Sequence, residues 1–530
     1  MKKMPVGIQS FRKILEDDCI YIDKTQHIYN LIHGASNYFL SRPRRFGKSL
    51  LLDTIGEAFS GDKELFKGLW IYDSDFDFKK HPVIKIDLSR IATETPEIFK
   101  ESLLSDIIRL YLQESIEIKD KTPSDAFITL INELYKKYNE RVVVLIDEYD
   151  KPILDNMNDV EVAEANREVL RRFYGVLKPM DPYLRFVFIT GVSRFTKTSI
   201  FSELNNLTDI TLADKYADIC GIPVESLEQH FSEHIKHLST LDNFRHYDSI
   251  SDVILRWYDG YSWDGKRKML NPFSLLCLFE LKQIESFWYT SGSPKFFIEI
   301  IKNKPESFMK LKNMEISSRV LETFDINKME LEPLLFQTGY LTVKEVIFQD
   351  GPSVYRLDIP NLEVREAFTM QLLSELTESG ETLADISYRG MKDALQLGEL
   401  TKMLELLRSL FASIPYELHV KAEAYYHSIF YVVMTLLGFD MDVEVSTSRG
   451  RIDAVLELDD KVYVIELKYE DCPRDASNET KRGLFDKALM EAMEQINNKG
   501  YADKFQSSGK EIYKAAFAFL GRDEIEMLVE

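Results

Sequence analysis

Phe39-Leu-Ser-Arg-Pro-Arg-Arg-Phe-Gly-Lys-Ser-Leu50 is the stretch from which the fold is read. An apolar, strand-like run at Tyr38-Phe-Leu gives way to a short basic loop, and a helical pattern follows over Ser49–Phe59. The spacing is that of G-x-x-x-x-G-K-[ST], with Arg42 where the first glycine normally stands. Phosphate chemistry explains which positions must be kept. Backbone N–H groups at a helix N-terminus hold a β-phosphate, Lys48 neutralises β/γ oxygens, and the Ser49 hydroxyl ligates Mg²⁺. Gly47 lets the backbone approach closely, and Arg45, Phe46 and Leu50 complete the nucleotide-binding stretch. A Gly-Lys-Ser triplet also arises by chance, so the assignment needs support from elsewhere in the chain.

Support comes from two further strand ends. Val142-Val-Val-Leu-Ile-Asp-Glu-Tyr-Asp is an apolar run closed by acids. Asp147 at its tip is placed to hold Mg²⁺, and Glu148 to orient and activate the attacking water. A solvated turn is the bland alternative for such a pair, but one α/β domain that also carries a strand–GKS–helix argues against it. Phe186-Val-Phe-Ile-Thr-Gly-Val-Ser-Arg ends similarly, with Thr190 or Ser193 placed to sense a γ-phosphate and Arg194 to neutralise transition-state charge. With Val83-Ile-Lys-Ile and Leu184-Arg-Phe-Val-Phe-Ile, these runs alternate with helical patterns, which predicts a parallel sheet covered on both faces.

The far end of the chain carries a different constellation. Gly450-Arg-Ile-Asp453 is followed by Val464-Ile-Glu466-Leu-Lys468, with Asp453 and Glu466 thirteen positions apart (466 − 453) and an Asp459-Asp460-Lys461 turn between the strands. Period 2 puts Glu466 and Lys468 on one face. Acids on adjacent strands can share a divalent cation, and a neighbouring ammonium can position water or stabilise charge. Glu423, on a helical pattern upstream, is the candidate third acid, and Gln495 and Tyr501 follow on a downstream helix. Taken alone, E-x-K is as often a cross-strand charge pair. His427 reads as a packing histidine or a ligand, and Tyr425, Tyr426, Phe430 and Tyr431 as core.

These motifs resemble two known families. Tyr21-Ile-Asp-Lys-Thr, Ser41-Arg-Pro-Arg-Arg-Phe-Gly-Lys-Ser, Ile146-Asp-Glu-Tyr-Asp and Thr190-Gly-Val-Ser-Arg-Phe resemble the bacterial AAA-ATPase-like proteins, related to the archaeal and STAND P-loop ATPases. In that family an arginine at the position of Arg42 is usual. Trp257-Tyr-Asp-Gly-Tyr and Asn271-Pro-Phe-Ser-Leu look like its helical lid. The C-terminal set resembles the PD-(D/E)xK nuclease superfamily, with Asp453 as the D, Glu466 and Lys468 as the ExK, and Arg451-Ile452 in place of the proline. The resemblances imply ATP and Mg²⁺ as cofactors, Mn²⁺ as an alternative at the nuclease site, a nucleic-acid partner with DNA preferred to RNA, and room for a homo-oligomer.

The expected architecture is multidomain α/β: a P-loop domain with a parallel sheet over 1–215, a helical lid over 216–300, a winged-helix-like segment over 301–376, a helical linker over 377–415 and a PD-(D/E)xK-like α/β domain over 416–530. The 530-residue length exceeds one hydrophobic core. The winged segment, with Glu332-Pro-Leu-Leu-Phe-Gln-Thr-Gly-Tyr-Leu leading into its hairpin, is read as a coupling element, because Lys328-Met-Glu-Leu-Glu-Pro-Leu is not basic enough to read a groove. The formal charge, 66 − 87 = −21, argues against a surface that coats nucleic acid generally but leaves room for a local groove. There is no apolar run of about 18 residues and no apolar stretch behind Lys2-Lys3, and the four cysteines are scattered. A reduced, cytoplasmic protein without membrane contact is the expectation. Function is then an ATPase that gates a metal-dependent nuclease in defence or mobile-element biology, the alternative being a non-catalytic nucleotide switch whose nuclease-like domain only binds nucleic acid.

Overall fold

The computed structural model describes the chain except residues 115, 117–119, 195–205, 289–313, 322–330, 349, 378–379, 413–429, 431–432, 435–439, 448–449, 459, 474–475, 499–500 and 522–523. The described residues fall into two compact units, one built from residues up to 291 with 313–363, the other from 364 onward.

The first unit is organised by five parallel strands: β1 (Asn37–Ser41), β2 (Val83–Asp87), β3 (Val142–Asp147), β4 (Leu184–Gly191) and β5 (Thr208–Asp209), in the order β2-β3-β4-β1-β5. β1 is buried along its whole length and β3 as far as Ile146. That is why their sequences are continuous apolar runs rather than alternating ones. The covering helices start where the local chemistry tells them to. Thr95 accepts from the Ile98 N–H and Thr122 from the Asp125 N–H, and a proline follows each as the first helical residue of Pro96–Gln113 and Pro123–Tyr138. β5, only two residues long, is too short to leave a pattern in the sequence.

The lid belongs to this same unit. Its helices Ser226–Ser239, Ile250–Tyr258 and Pro272–Leu281 bury Phe231, Ile254, Tyr258 and Leu278 in one cluster, closed by the two-residue strands β6 (Ile222–Pro223) and β7 (Met269–Leu270). A three-stranded sheet follows, β8 (Met314–Ser317), β9 (Thr342–Ile347) and β10 (Val354–Asp358), in the order β8-β10-β9, with the Leu331–Thr338 helix leading into β9. The hairpin expected over 340–359 is therefore present; residues 328–330 of the would-be recognition segment lie outside the described residues.

The second unit holds a mixed sheet, β11 (Asp440–Thr447), β12 (Gly450–Glu457), β13 (Lys461–Glu470), β14 (Glu511–Leu520) and β15 (Glu524–Val529), in chain order. Only β13 and β14 run parallel, and such a pair needs a crossover. The Asn478–Asn498 helix supplies it, packing Ala492, Met493 and Ile496 on Val455, Val462, Val464 and Ala516. The helices expected as a linker, Gly380–Leu397 and Leu400–Ala412, instead pack with this sheet. The Tyr463 hydroxyl donates to the Leu395 carbonyl at 2.9 Å, and Phe411 meets Phe519 at 5.3 Å. No helix among the described residues is long and apolar enough to cross a membrane.

Because β3 is sealed on both sides, truncation of a side chain at its centre leaves a cavity. Leu145→Ala should destabilise the first unit by about 2–5 kcal/mol, read as a lowered midpoint in urea unfolding with an unchanged slope.

Candidate nucleotide and metal sites

The first site lies at the carboxyl end of the parallel sheet. β1 ends at Ser41, and the Lys48–Ala58 helix begins after Gly47, whose φ of 87° lies in the left-handed region that glycine adopts without strain. Arg45 also sits there, at φ 68°, on the exposed outer side of the loop. Ser49 occupies the first turn of the helix, half-buried. The buried Lys48 ammonium turns back onto its own loop, donating to the carbonyls of Arg42 (2.9 Å) and Pro43 (3.0 Å). These bonds hold the Lys48 ammonium at the loop beside the helix N-terminus, where positive charge favours an anionic phosphate.

The neighbouring strand tips face this loop. Ile146 of β3 pairs with Ile189 of β4, which brings Asp147 beside Thr190, and Thr190 Oγ1 donates to Asp147 Oδ1 at 2.5 Å. Glu148 adopts a left-handed φ of 50°, a conformation that costs energy for a non-glycine residue. Burial raises the proton affinity of Glu148, with the Lys48 charge opposing the shift. Arg194, expected to act on phosphate, is buried and pairs through Nε with Asp209 Oδ2 at 2.5 Å, and its N–H donates to Gln337 Oε1 at 3.0 Å. Beside the loop, a cavity of about 90 Å³ runs between the N-terminal segment and the lid, lined by Tyr21, Lys24, Phe46, Gly47, Leu50 and Cys220 among others.

Sequence reasoning missed Asp150. It is 1% exposed, and its Oδ2 accepts from Val192 N–H (3.0 Å), Ser193 N–H (2.5 Å) and Ser193 Oγ (2.6 Å). It shapes the turn that follows β4, and Ser193 is thereby committed to Asp150. The available signal was the third acid of Asp147-Glu-Tyr-Asp150.

The second site lies on the sheet of the second unit. The register Ala454↔Ile465 and Val455↔Val464 brings Asp453 level with Glu466, and parity puts both on the face that carries Val455, Val462 and Val464. Asp453 Oδ2 accepts from the Leu467 N–H at 2.9 Å. Glu466 is fully buried; its Oε1 receives Gln495 Nε2 from the crossover helix and lies 3.5 Å from Lys468 Nζ. Its Oε2 has no hydrogen-bond partner among the described residues. Burial first, and the adjacent Asp453 charge second, push the Glu466 carboxyl up to about 7, with Lys468 opposing them. An orphaned carboxylate oxygen beside a second carboxylate is what a divalent cation satisfies, so the donor set fits one. Glu423 and His427 lie outside the described residues, and no cluster of three metal-binding side chains occurs among the described ones. Tyr501 is buried in the core under the crossover helix.

Residues 5–201 match the family described as Predicted AAA-ATPase, and residues 421–527 match the PD-(D/E)XK nuclease superfamily. An uncharacterized protein in the vnfD 5′ region of Azotobacter chroococcum mcd 1 is 34% identical over 527 residues, covering 98% of this chain and 96% of its own. The solved structure of the Aeropyrum pernix ORC2 protein, in ADPNP–ADP complexes, is 12% identical and covers 63% of this chain and 87% of its own, with a TM-score of 0.26. The chain belongs to the predicted AAA-ATPase family and ends in a PD-(D/E)XK nuclease-superfamily domain.

The Glu466 carboxyl sets a pH dependence. Its folded pKa lies above its unfolded value, so its contribution to stability is full below about 4.5 and lost as pH rises through about 7. With a chelator present, the second unit should therefore lose stability between pH 5 and pH 8. Asp453→Asn keeps an acceptor for the Leu467 N–H but removes the repelling charge, and should show a smaller loss in denaturant melts over the same range.

Proposed function

We propose that this protein binds and hydrolyses ATP with Mg²⁺ in its first unit and cleaves nucleic-acid phosphodiesters with a divalent cation in its second, nucleotide state governing the cut. The observation that carries the nuclease reading is Glu466, a fully buried acid with one oxygen held by Gln495 and Lys468 and the other orphaned beside Asp453. Bound there, Mg²⁺ or Mn²⁺ would polarise the phosphodiester and make water a better nucleophile.

The chain's own groups divide the remaining work. Asp453 and Glu466 supply the charge that retains the cation, with Glu423 as the third acid we assign. Gln495 fixes the Glu466 carboxylate in one orientation, and the half-exposed Lys468 ammonium stabilises charge developing on the attacked phosphate. In the first unit, Lys48 and the helix N-terminus take the β- and γ-phosphates, while Ser49 and Asp147 hold Mg²⁺. We assign the base to the cavity beside Gly47 and Phe46. Glu148 takes the proton of the attacking water, a role that its burial-raised proton affinity suits. Thr190, already bonded to Asp147, aligns that acid, and Arg194 answers transition-state charge once it exchanges Asp209 for phosphate. We place the protein in the cytoplasm with nucleic acid as its macromolecular partner, DNA before RNA, in a defence or mobile-element setting.

Two sets of variants test this. Lys48→Ala should lose ATP affinity by more than about tenfold in titration calorimetry, while Glu148→Gln should bind ATP but release phosphate about 100-fold or more slowly. Unchanged affinity in Lys48→Ala would remove the P-loop assignment. Asp453→Ala or Glu466→Ala should abolish Mg²⁺- or Mn²⁺-dependent cutting on a panel of DNA and RNA substrates, with ATP hydrolysis retained. If the wild-type protein binds these substrates and ATP yet cuts none of them, the non-catalytic nucleotide switch is the correct reading.

A further inference from the structure

We propose that Arg42, in the place of the loop's first glycine, is a positioning residue that ties the phosphate loop to the lid, so that nucleotide state is registered at Trp263 and handed to strand β9. The inference rests on the nucleotide reading of the first unit.

Arg42 is 1% exposed and turns away from the loop centre. Its Nη1 donates to the carbonyls of Ser41 and Thr211, both at 2.9 Å, and its Nη2 to the Tyr216 carbonyl at 3.1 Å. The guanidinium carbon lies 4.0 Å from the centre of the Trp263 ring. A planar cation with a fork of donors can grip a turn and stack on an indole at once, which a glycine or lysine cannot. The far end of the loop rests on the same lid segment, since Phe46 meets Tyr261 at 4.6 Å and Trp263 at 5.4 Å, both edge-on. Pro43 packs against Gly339 so closely that a Cβ there would lie 2.8 Å from the proline Cβ.

The input is Lys48. Its ammonium donates to the Arg42 and Pro43 carbonyls. Phosphate oxygens arriving in the loop compete for those same hydrogens, so the peptide units that carry Arg42 and Pro43 feel the change directly. The output is Ser262, next to Trp263: its N–H donates to Thr342 Oγ1 at 2.7 Å, and its carbonyl accepts from the Val343 N–H at 3.2 Å. A contiguous polar and packed path thus joins phosphate, Lys48, Arg42, Trp263, Ser262 and β9 without leaving the first unit.

The test compares full-length wild type, Arg42→Gly and Trp263→Leu, with and without a non-hydrolysable ATP analogue. Calorimetry reads binding, and hydrogen exchange reads residues 211–221, 261–270 and 342–347. Tryptophan emission, with Trp263→Phe subtracted, reads the indole under the guanidinium. In the wild type, the analogue should shift Trp263 emission and change exchange in all three segments. Arg42→Gly restores the usual loop glycine and should still bind, but with the emission shift and the response at 342–347 lost. Trp263→Leu leaves the guanidinium–carbonyl bonds in place and should bind as the wild type does while losing the 342–347 response, which decides the matter if Arg42→Gly does not fold. Persistence of that response in either variant, or a wild type that binds the analogue with no change at 261–270 and 342–347, overturns the inference alone. A wild type that does not bind overturns the nucleotide reading along with it.

Discussion

A guanidinium taken out of water beside the phosphate loop constrains much of the first unit. Leaving such a charge unpaired inside a protein costs several kcal/mol, so the chain must bring acceptors to Arg42. It does so with backbone carbonyls rather than a directly paired carboxylate. The turn after β5 directs the Thr211 and Tyr216 carbonyls inward, and the lid offers the face of Trp263. Burial lowers the Arg42 pKa to about 10, which leaves the group charged at neutral pH. Loop, β5 turn and lid consequently pack as parts of one unit, although they are far apart in sequence.

The two sites are opposite solutions to the same problem of unbalanced local charge. The first combines the N-terminus of the Lys48–Ala58 helix with the Lys48 ammonium, and so favours an anion. The second sets Asp453 level with a buried Glu466 and opposes them with the Lys468 ammonium, and so favours a cation. In each, strain or desolvation falls on an acid to which we assign a role: the left-handed φ of Glu148 in one, the raised carboxyl of Glu466 in the other. A net charge of −21 averages over both and predicts neither.

What was legible in the sequence followed from local rules. Continuous apolar runs gave β1 to β4, and period-2 parity put Glu466 and Lys468 on one face, with Asp453 on the neighbouring strand. What was not legible depends on residues distant in sequence. Nothing near Arg42 says that it will turn toward residues 211, 216 and 263, and nothing near Arg194 names Asp209 or Gln337. The alternation around Glu466 suggested one apolar face and one polar, yet residues 462–467 are all buried, because the crossover helix covers the side that carries the acid. Glu466 is thus an acid within a core rather than on a surface, and only the packing of Asn478–Asn498 could reveal it.

Arg194 adds a second link of the same kind as Arg42. Its side chain is held by Asp209 of β5, and its N–H by Gln337, whose Nε2 donates in turn to the Leu321 carbonyl. The end of β4 is therefore bonded to the Leu331–Thr338 helix, as the loop is joined through the lid to β9. These are consecutive elements: the helix runs through Gly339 and Tyr340 straight into β9. Residues 331–347 are thus held from two sides, at Gln337 by the end of β4 and at Thr342 and Val343 by the lid.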